Sequence, residues 1–352
     1  MKTKQILLAI FCLPIANCFL PTAFGQDIHF TQFYMSPLVQ NPAMAGANYD
    51  MQAVVNYKDQ WKSVATPYKT IDASYDMRIG KQEPKNGYWA AGILFYSDKA
   101  GDASMQTTNA SLNAAYHILM GKNSRLSLGV QPAYCQRAMS FGSLQWGNQY
   151  QSGSFSANNS TGEPVSGTPS YNFFDVGAGI MWSYEKGEMY ISAHNHLKAN
   201  FGFSAFHLTE PKYSYYATPT ETLYRKYAVY ANVNYGIKNS PFSLVPGLIY
   251  YMQGPAKELL VGGSIRYLLK ENSKYTSFVN GAAIAFGGYV RAKDALALTM
   301  LLEFSKYSIG FSYDVNTSDL RAASNQKGGF EIALRFVNPN PFLTKNSVSR
   351  IQ

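Results

Sequence analysis

The sequence predicts an all-β protein, a transmembrane antiparallel up-and-down β-barrel of about fourteen strands preceded by an extended N-terminal segment. Three observations predict it. Only 14% of the 352 residues are charged and 15% are aromatic, whereas soluble domains carry about 25% charged residues. The chain also repeats units of alternating character separated by turns. In Tyr307-Ser308-Ile309-Gly310-Phe311-Ser312-Tyr313-Asp314-Val315 every odd position is apolar or aromatic and every even one small or polar. Successive strand side chains point to opposite faces, so this segment has one apolar wall and one wet wall. Finally, no run of about 20 apolar residues follows the N-terminal stretch, as a spanning helix would need. No helical period is sustained that could cover a sheet face.

Alternation alone also suits a soluble sandwich. Two features favour the barrel. The polar wall carries mostly Ser, Gly, Asn and Ala rather than Lys and Glu. Aromatics recur near strand ends (Tyr57, Trp61, Tyr68; Tyr88, Trp89, Tyr96; Trp182, Tyr184, Tyr190; Tyr250, Tyr251), as interfacial girdles do. On this reading Ile309, Phe311 and Tyr313 face lipid and Ser312 faces the lumen. Arginine at Phe311 then costs stability, while at Ser312 it is much milder unless the lumen is packed.

The elements follow in chain order. Residues 1–25 read as a signal peptide: Lys2 and Lys4 form a basic start, a short apolar stretch follows, and Ala23-Phe24-Gly25 offers small residues where a signal peptidase cuts. Cleavage leaves Cys135 as the one cysteine, with no intrachain disulfide. Residues 26–48 contain Pro37 and Pro42 and read as extended, either periplasmic or folded into the lumen. The barrel occupies 49–338. Its fourteen strands fall near 49–58, 67–78, 87–97, 104–119, 124–138, 170–184, 187–197, 223–236, 241–252, 257–270, 275–290, 294–304, 306–316 and 328–337. An even barrel puts both termini in the periplasm, with longer loops outside. The long gaps 140–169, 198–222 and 317–327 follow odd strands and therefore fall outside. Residues 339–352 form a short periplasmic tail.

Few residues suggest chemistry. His194 and His196 share a face of the seventh expected strand, but a stable metal site wants three or four ligands. No Gly-x-Ser-x-Gly elbow or phosphate-cradling loop occurs. Gly262, Gly263, Gly287 and Gly288 lie inside strand patterns, where glycine marks a bulge or a close approach. The pI near 9.2 comes from scattered Lys and Arg that form no nucleic-acid surface. The sequence therefore predicts no enzyme, no cofactor, no metal and no nucleic-acid partner. Two binding regions stand out instead. One is the apolar set Phe30, Phe33, Tyr34, Met35 and Leu38 with Asn41 and Pro42, which must be buried as a plug or against a partner. The other is the outer loop Asn316, Thr317, Ser318 and Asp319, rich in turn formers.

Two long stretches carry a resemblance. The run from Asp27-Ile28-His29-Phe30-Thr31-Gln32-Phe33-Tyr34-Met35-Ser36-Pro37 through Asn41-Pro42-Ala43-Met44-Ala45-Gly46 resembles the opening of the PorP/SprF family. The stretch Ile309-Gly310-Phe311-Ser312-Tyr313-Asp314-Val315-Asn316-Thr317-Ser318-Asp319-Leu320, then Gly329-Phe330-Glu331-Ile332-Ala333-Leu334, is similar to its end. The resemblance implies an outer-membrane protein of the type IX secretion system. It implies a role in secretion and gliding, or in exporting and holding one large secreted adhesin. Implied partners are other secretion components (periplasmic ring or peptidoglycan-binding lipoproteins), the adhesin's C-terminal domain, and outer-membrane lipid. Asn41-Pro42-Ala43 also resembles a motif at the start of long-chain fatty-acid transporters, which implies the alternative of a channel for small or hydrophobic solutes.

Overall fold

A computed structural model describes residues 27–63, 66–80, 86–142, 144–162, 169–187, 196–212, 222–270, 281–319 and 321–338. The first strands in chain order are β1 (Met51–Gln60), β2 (Tyr68–Ile79), β3 (Gly87–Ala100), β4 (Met105–Leu119) and β5 (Ser124–Ala138). A small separate hairpin follows, β6 (Tyr150–Gln151) with β7 (Ser154–Phe155). Then come β8 (Ser170–Lys186), β9 (Leu197–Phe206), β10 (Lys226–Gly236), β11 (Phe242–Gln253) and β12 (Ala256–Lys270). β13 (Ala282–Arg291), β14 (Ala295–Phe304), β15 (Tyr307–Asn316) and β16 (Lys327–Asn338) complete the set.

All strands except β6 and β7 form one closed barrel of fourteen, each antiparallel to its neighbours. Closure pairs β1 with β16, with Met51 opposite Asn338 and Gln60 opposite Gly329. The start of β1 and the end of β16 therefore share one end, the periplasmic end of an even-stranded barrel. The long connections from β5 to β8 and from β9 to β10 lie at the other end, which faces outward.

The two walls are inverted relative to a soluble protein. Apolar side chains such as Ile93, Leu112, Phe174 and Leu298 are exposed, while Asn56, Asp72, Asn113, Asp175 and Thr299 are buried. Phe174 is 77% exposed and Asp72 is 0% exposed. Water would make that arrangement unfavourable by about 1.5–3 kcal/mol for each large apolar side chain. Lipid removes the penalty. Aromatic pairs Trp89–Tyr116, Trp182–Tyr184, Phe242–Tyr267 and Tyr307–Phe336 ring the periplasmic end, as an interfacial girdle does.

Two strands differ in extent from the sequence expectation. The seventh barrel strand is Leu197–Phe206, and residues 188–195 of the expected 187–197 lie outside the described residues. Its outward residues are Phe201 and Phe203, and Gly202 between them leaves room for the Tyr230 ring on the next strand. The outer loop therefore begins at His207 rather than at residue 198. The expected strand over 275–290 is Ala282–Arg291, and residues 271–280 lie outside the described residues.

On β15, Ile309 and Tyr313 are exposed and Phe311 is half-exposed, while Ser312 is 3% exposed. Phe311→Arg is expected to destabilise the barrel by about 2–4 kcal/mol, the range for a cation near the bilayer midplane. Ser312→Arg is not the mild change expected of an open lumen. The Ser312 hydroxyl already donates to Glu331 Oε2 at 3.3 Å, so a guanidinium there has no space. Urea titration of both variants folded into bilayers checks this. A Ser312→Arg barrel as stable as the parent would contradict a packed lumen.

Candidate functional site

The lumen is occupied by the chain's own residues 27–48. At the outer end the Asp27 amide donates to Gln253 Oε1 at 2.9 Å. Its carboxylate pairs with His207 and lies 3.8 Å from Arg137 Nη2. Gln253 ends β11, Arg137 is near the end of β5, and His207 directly follows β9. At the periplasmic end the Gly46 amide donates to Asp76 Oδ2 at 2.8 Å. There the Ala47 carbonyl accepts from Arg125 Nη2 at 2.6 Å, and the Ala45 carbonyl is 2.7 Å from His117 Nε2. A carbonyl only accepts, so Nε2 carries the imidazole proton. The segment thus threads the whole lumen, starting at the outer mouth.

It is not extended. A 3-10 turn at Phe33–Met35, a one-turn helix at Pro37–Gln40 and a 3-10 turn at Pro42–Met44 shorten it. Pro37 and Pro42, read above as signs of extended chain, instead start the two later turns. The first helical position needs no N–H and suits the fixed proline φ. Asn41 accepts from the Ala43 amide at 2.8 Å, a local cap. Its amide also donates to Ile180 O at 3.0 Å and Phe203 O at 3.1 Å, joining the plug to β8 and β9. Glycines notch the wall to admit this turn. A Cβ at Gly179 would overlap the Asn41 side chain, and one at Gly129 the backbone of Pro42 and Ala43.

The apolar residues named from sequence come together here. Phe30, Phe33, Met35 and Leu38 are buried to 3% exposure or less. Phe33 meets Tyr289 edge-on at 5.7 Å, and Tyr34 stacks on the same ring at 6.1 Å. Leu38 packs with Ala90 and Leu94. The barrel supplies inward Met181, Tyr230, Ile249 and Leu260 around Phe33, so this part of the lumen is apolar rather than wet.

Charges hold the outer half. The Glu331 carboxylate accepts from the Thr31 and Gln32 amides at 2.8 and 3.0 Å. Lys58 Nζ lies 3.3 Å from Glu331 and donates to the His29 carbonyl at 2.9 Å. Arg291 reaches Asp314 at 2.9 Å, Asp294 at 3.2 Å and Glu258 at 3.5 Å, and donates to Thr31 Oγ1 at 2.7 Å. The strand register slips between Tyr313 and Val315, around Asp314, and a bulge re-aims a side chain in this way.

Arg291 also links the plug to the second region named from sequence. The Asp294 carbonyl accepts from the Thr317 and Ser318 amides at 2.8 and 3.0 Å. Asn316 donates to Ser324 Oγ at 3.0 Å and Lys327 O at 3.2 Å. Asp319 is exposed. The loop is therefore held by turn bonding and joined to Thr31 through Asp294 and Arg291.

Beside the mouth, His207 sits between two carboxylates, with Nδ1 2.7 Å from Asp175. Burial alone would lower its imidazole, but the charges and hydrogen bonds of Asp27 and Asp175 outweigh that and push it up to about 9. Burial alone would raise Asp27, but His207, then Lys226 and Arg137, hold it well below the usual carboxylate range. Both of the His207 ring nitrogens face carboxylates, and the Thr209 hydroxyl donates to Asp175 rather than to His207. A nucleophile needs its base within reach, and this arrangement holds rather than reacts. His196 Nε2 is 2.8 Å from Asn234 Oδ1, and His194 lies outside the described residues. Among the described residues no three His, Cys, Asp or Glu converge as for a metal.

Sequence reasoning did not single out Lys58, Glu258, Arg291, Asp314 or Glu331. A usable signal existed, because each is a charged residue on a strand of a chain with few charges.

A closed fourteen-strand barrel with an apolar outside and a self-plugged lumen is an outer-membrane β-barrel. The chain belongs to the family described as type IX secretion system membrane protein PorP/SprF, whose model matches residues 22–336. No curated protein matches it in sequence. Several solved structures are similar to it at low identity. The CymD monoaromatic hydrocarbon channel is 8% identical, covering 86% of this chain and 91% of its own, with a TM-score of 0.43. A Pseudomonas aeruginosa FadL homologue is 11% identical over 84% of this chain and 92% of its own, with a TM-score of 0.42. The beta domain of the Bordetella autotransporter BrkA is 8% identical over 82% and 98%, with a TM-score of 0.37.

Proposed function

We propose that the protein acts by binding rather than by turnover, supporting export or surface anchoring of secreted proteins of the gliding or adhesin type. The partners in this reading are other type IX secretion components at the periplasmic face, such as ring or peptidoglycan-binding lipoproteins, and the C-terminal domain of a secreted adhesin. The supporting observation is the filled lumen: residues 27–48 cross it and are fastened at both ends. A solute channel needs a continuous path, and this plug stands in it. The test is co-purification of the full chain from cells with a secreted adhesin carrying its C-terminal domain, alongside bilayer recording of the isolated barrel. Retention of the adhesin and a silent bilayer are expected. Steady conductance or fatty-acid uptake without adhesin retention would replace this reading with the solute channel.

A further inference from the structure

Gly46 lies beside the start of β1 at the periplasmic end, yet Asp27 lies at the outer mouth. The residue before Asp27 is within about 3.8 Å of it, Cα to Cα. Asp27 is fixed by Gln253, His207 and Arg137, all at or just beyond outer strand ends. Lys226, the first residue of β10, donates to the Ile28 carbonyl at 3.0 Å and fixes the next residue at the same level. A chain turning back from Asp27 to the periplasm would have to pass alongside residues 28–46. That route is closed, because Phe33, Met35, Leu38, Asn41 and Ala43 are each 1% exposed or less inside the wall.

We infer that the plug enters the lumen from the outer mouth, so that Asp27, at the N-terminal end of the described chain, is presented at the cell surface among the outer ends of β5, β9, β10 and β11. Asp27 and Asn338 then lie on opposite faces of the membrane, unlike the expectation of two periplasmic termini. The inference rests on the outer-membrane reading. It also requires that any leader be removed before the plug is seated, because a segment held at the inner membrane cannot thread outward.

The test places a short neutral epitope between Gln26 and Asp27 of the full chain and probes intact cells with antibody. Ser154→Cys on the β6–β7 hairpin and Lys122→Cys in the β4–β5 turn, labelled with a membrane-impermeant maleimide, report the orientation. Equal antibody signal before and after permeabilisation is expected, with Ser154→Cys labelled and Lys122→Cys silent on intact cells. An epitope seen only after permeabilisation, with Ser154→Cys labelled, overturns the inference and leaves the barrel reading intact. Labelling of Lys122→Cys in place of Ser154→Cys inverts the barrel, and the inference fails with it. If the epitope blocks insertion, a cysteine pair at Asp27 and Gln253 decides. A disulfide between them supports the inference, and one formed instead between cysteines at Asp27 and Arg125 overturns it.

Discussion

Arg291→Met is expected to destabilise the folded barrel by about 3–5 kcal/mol, the range for breaking one side of a buried ion pair. The guanidinium is 3% exposed and faces Asp314, Asp294 and Glu258. Its removal leaves Asp314 and Glu258 buried with less compensation. It also leaves the Thr31 hydroxyl without the donor that ties the plug to the wall. Arg225→Met is the matched control. Arg225 and Glu210 are 45% and 49% exposed, and such surface pairs contribute at most about 1 kcal/mol. Urea titration in detergent, read by the mobility shift between folded and unfolded barrel, measures both. Equal losses would mean that the buried network carries no special weight.

Deletion of residues 27–46 is expected to have a larger effect still. Phe33, Met35 and Leu38 are fully buried, and burial of each contributes about 1.5–3 kcal/mol. Lys58 and Glu331 would lose their backbone partners in the segment, at His29, Thr31 and Gln32. Water must then enter to solvate those charges. The truncated barrel should unfold at a markedly lower temperature and conduct ions in a planar bilayer where the full chain is silent. A truncated barrel that is heat-stable but no longer supports secretion would instead make the segment chiefly a docking element.

The barrel was legible because lipid forces regularity on one wall. Tyr307 to Val315 alternate without exception, and the observed strand, Tyr307–Asn316, coincides with them. The inner wall of β9 was harder to read: Gly202 faces inward between the outward Phe201 and Phe203, and its lack of a side chain makes room for the Tyr230 ring on the same face. The interior was less legible, since nothing outside constrains it to one pattern. Tyr230 and Tyr289 are inward residues buried against the plug, although their neighbours in sequence suggest a wet wall. The apolar set Phe30 to Leu38 was readable as something that must be buried. Its partners were not, because they come from strands far away in sequence. Pro37 and Pro42 were misread for a local reason. Proline ends a helix from within but begins one at its first position, and only the backbone after it distinguishes the two.

The bond from the Thr31 amide to Glu331 joins residues 300 positions apart, and that from Thr31 Oγ1 to Asp314 spans 283. Contacts of such separation form late, after the intervening chain has been gathered. Closure of β1 onto β16 and seating of the plug therefore belong to the same late event, because Glu331 lies on the strand that completes the ring. A segment that precedes every barrel strand in the chain is among the last to find its place. A seated N-terminus is in this sense a certificate of completion: a barrel missing its final strand has no Glu331 to receive it.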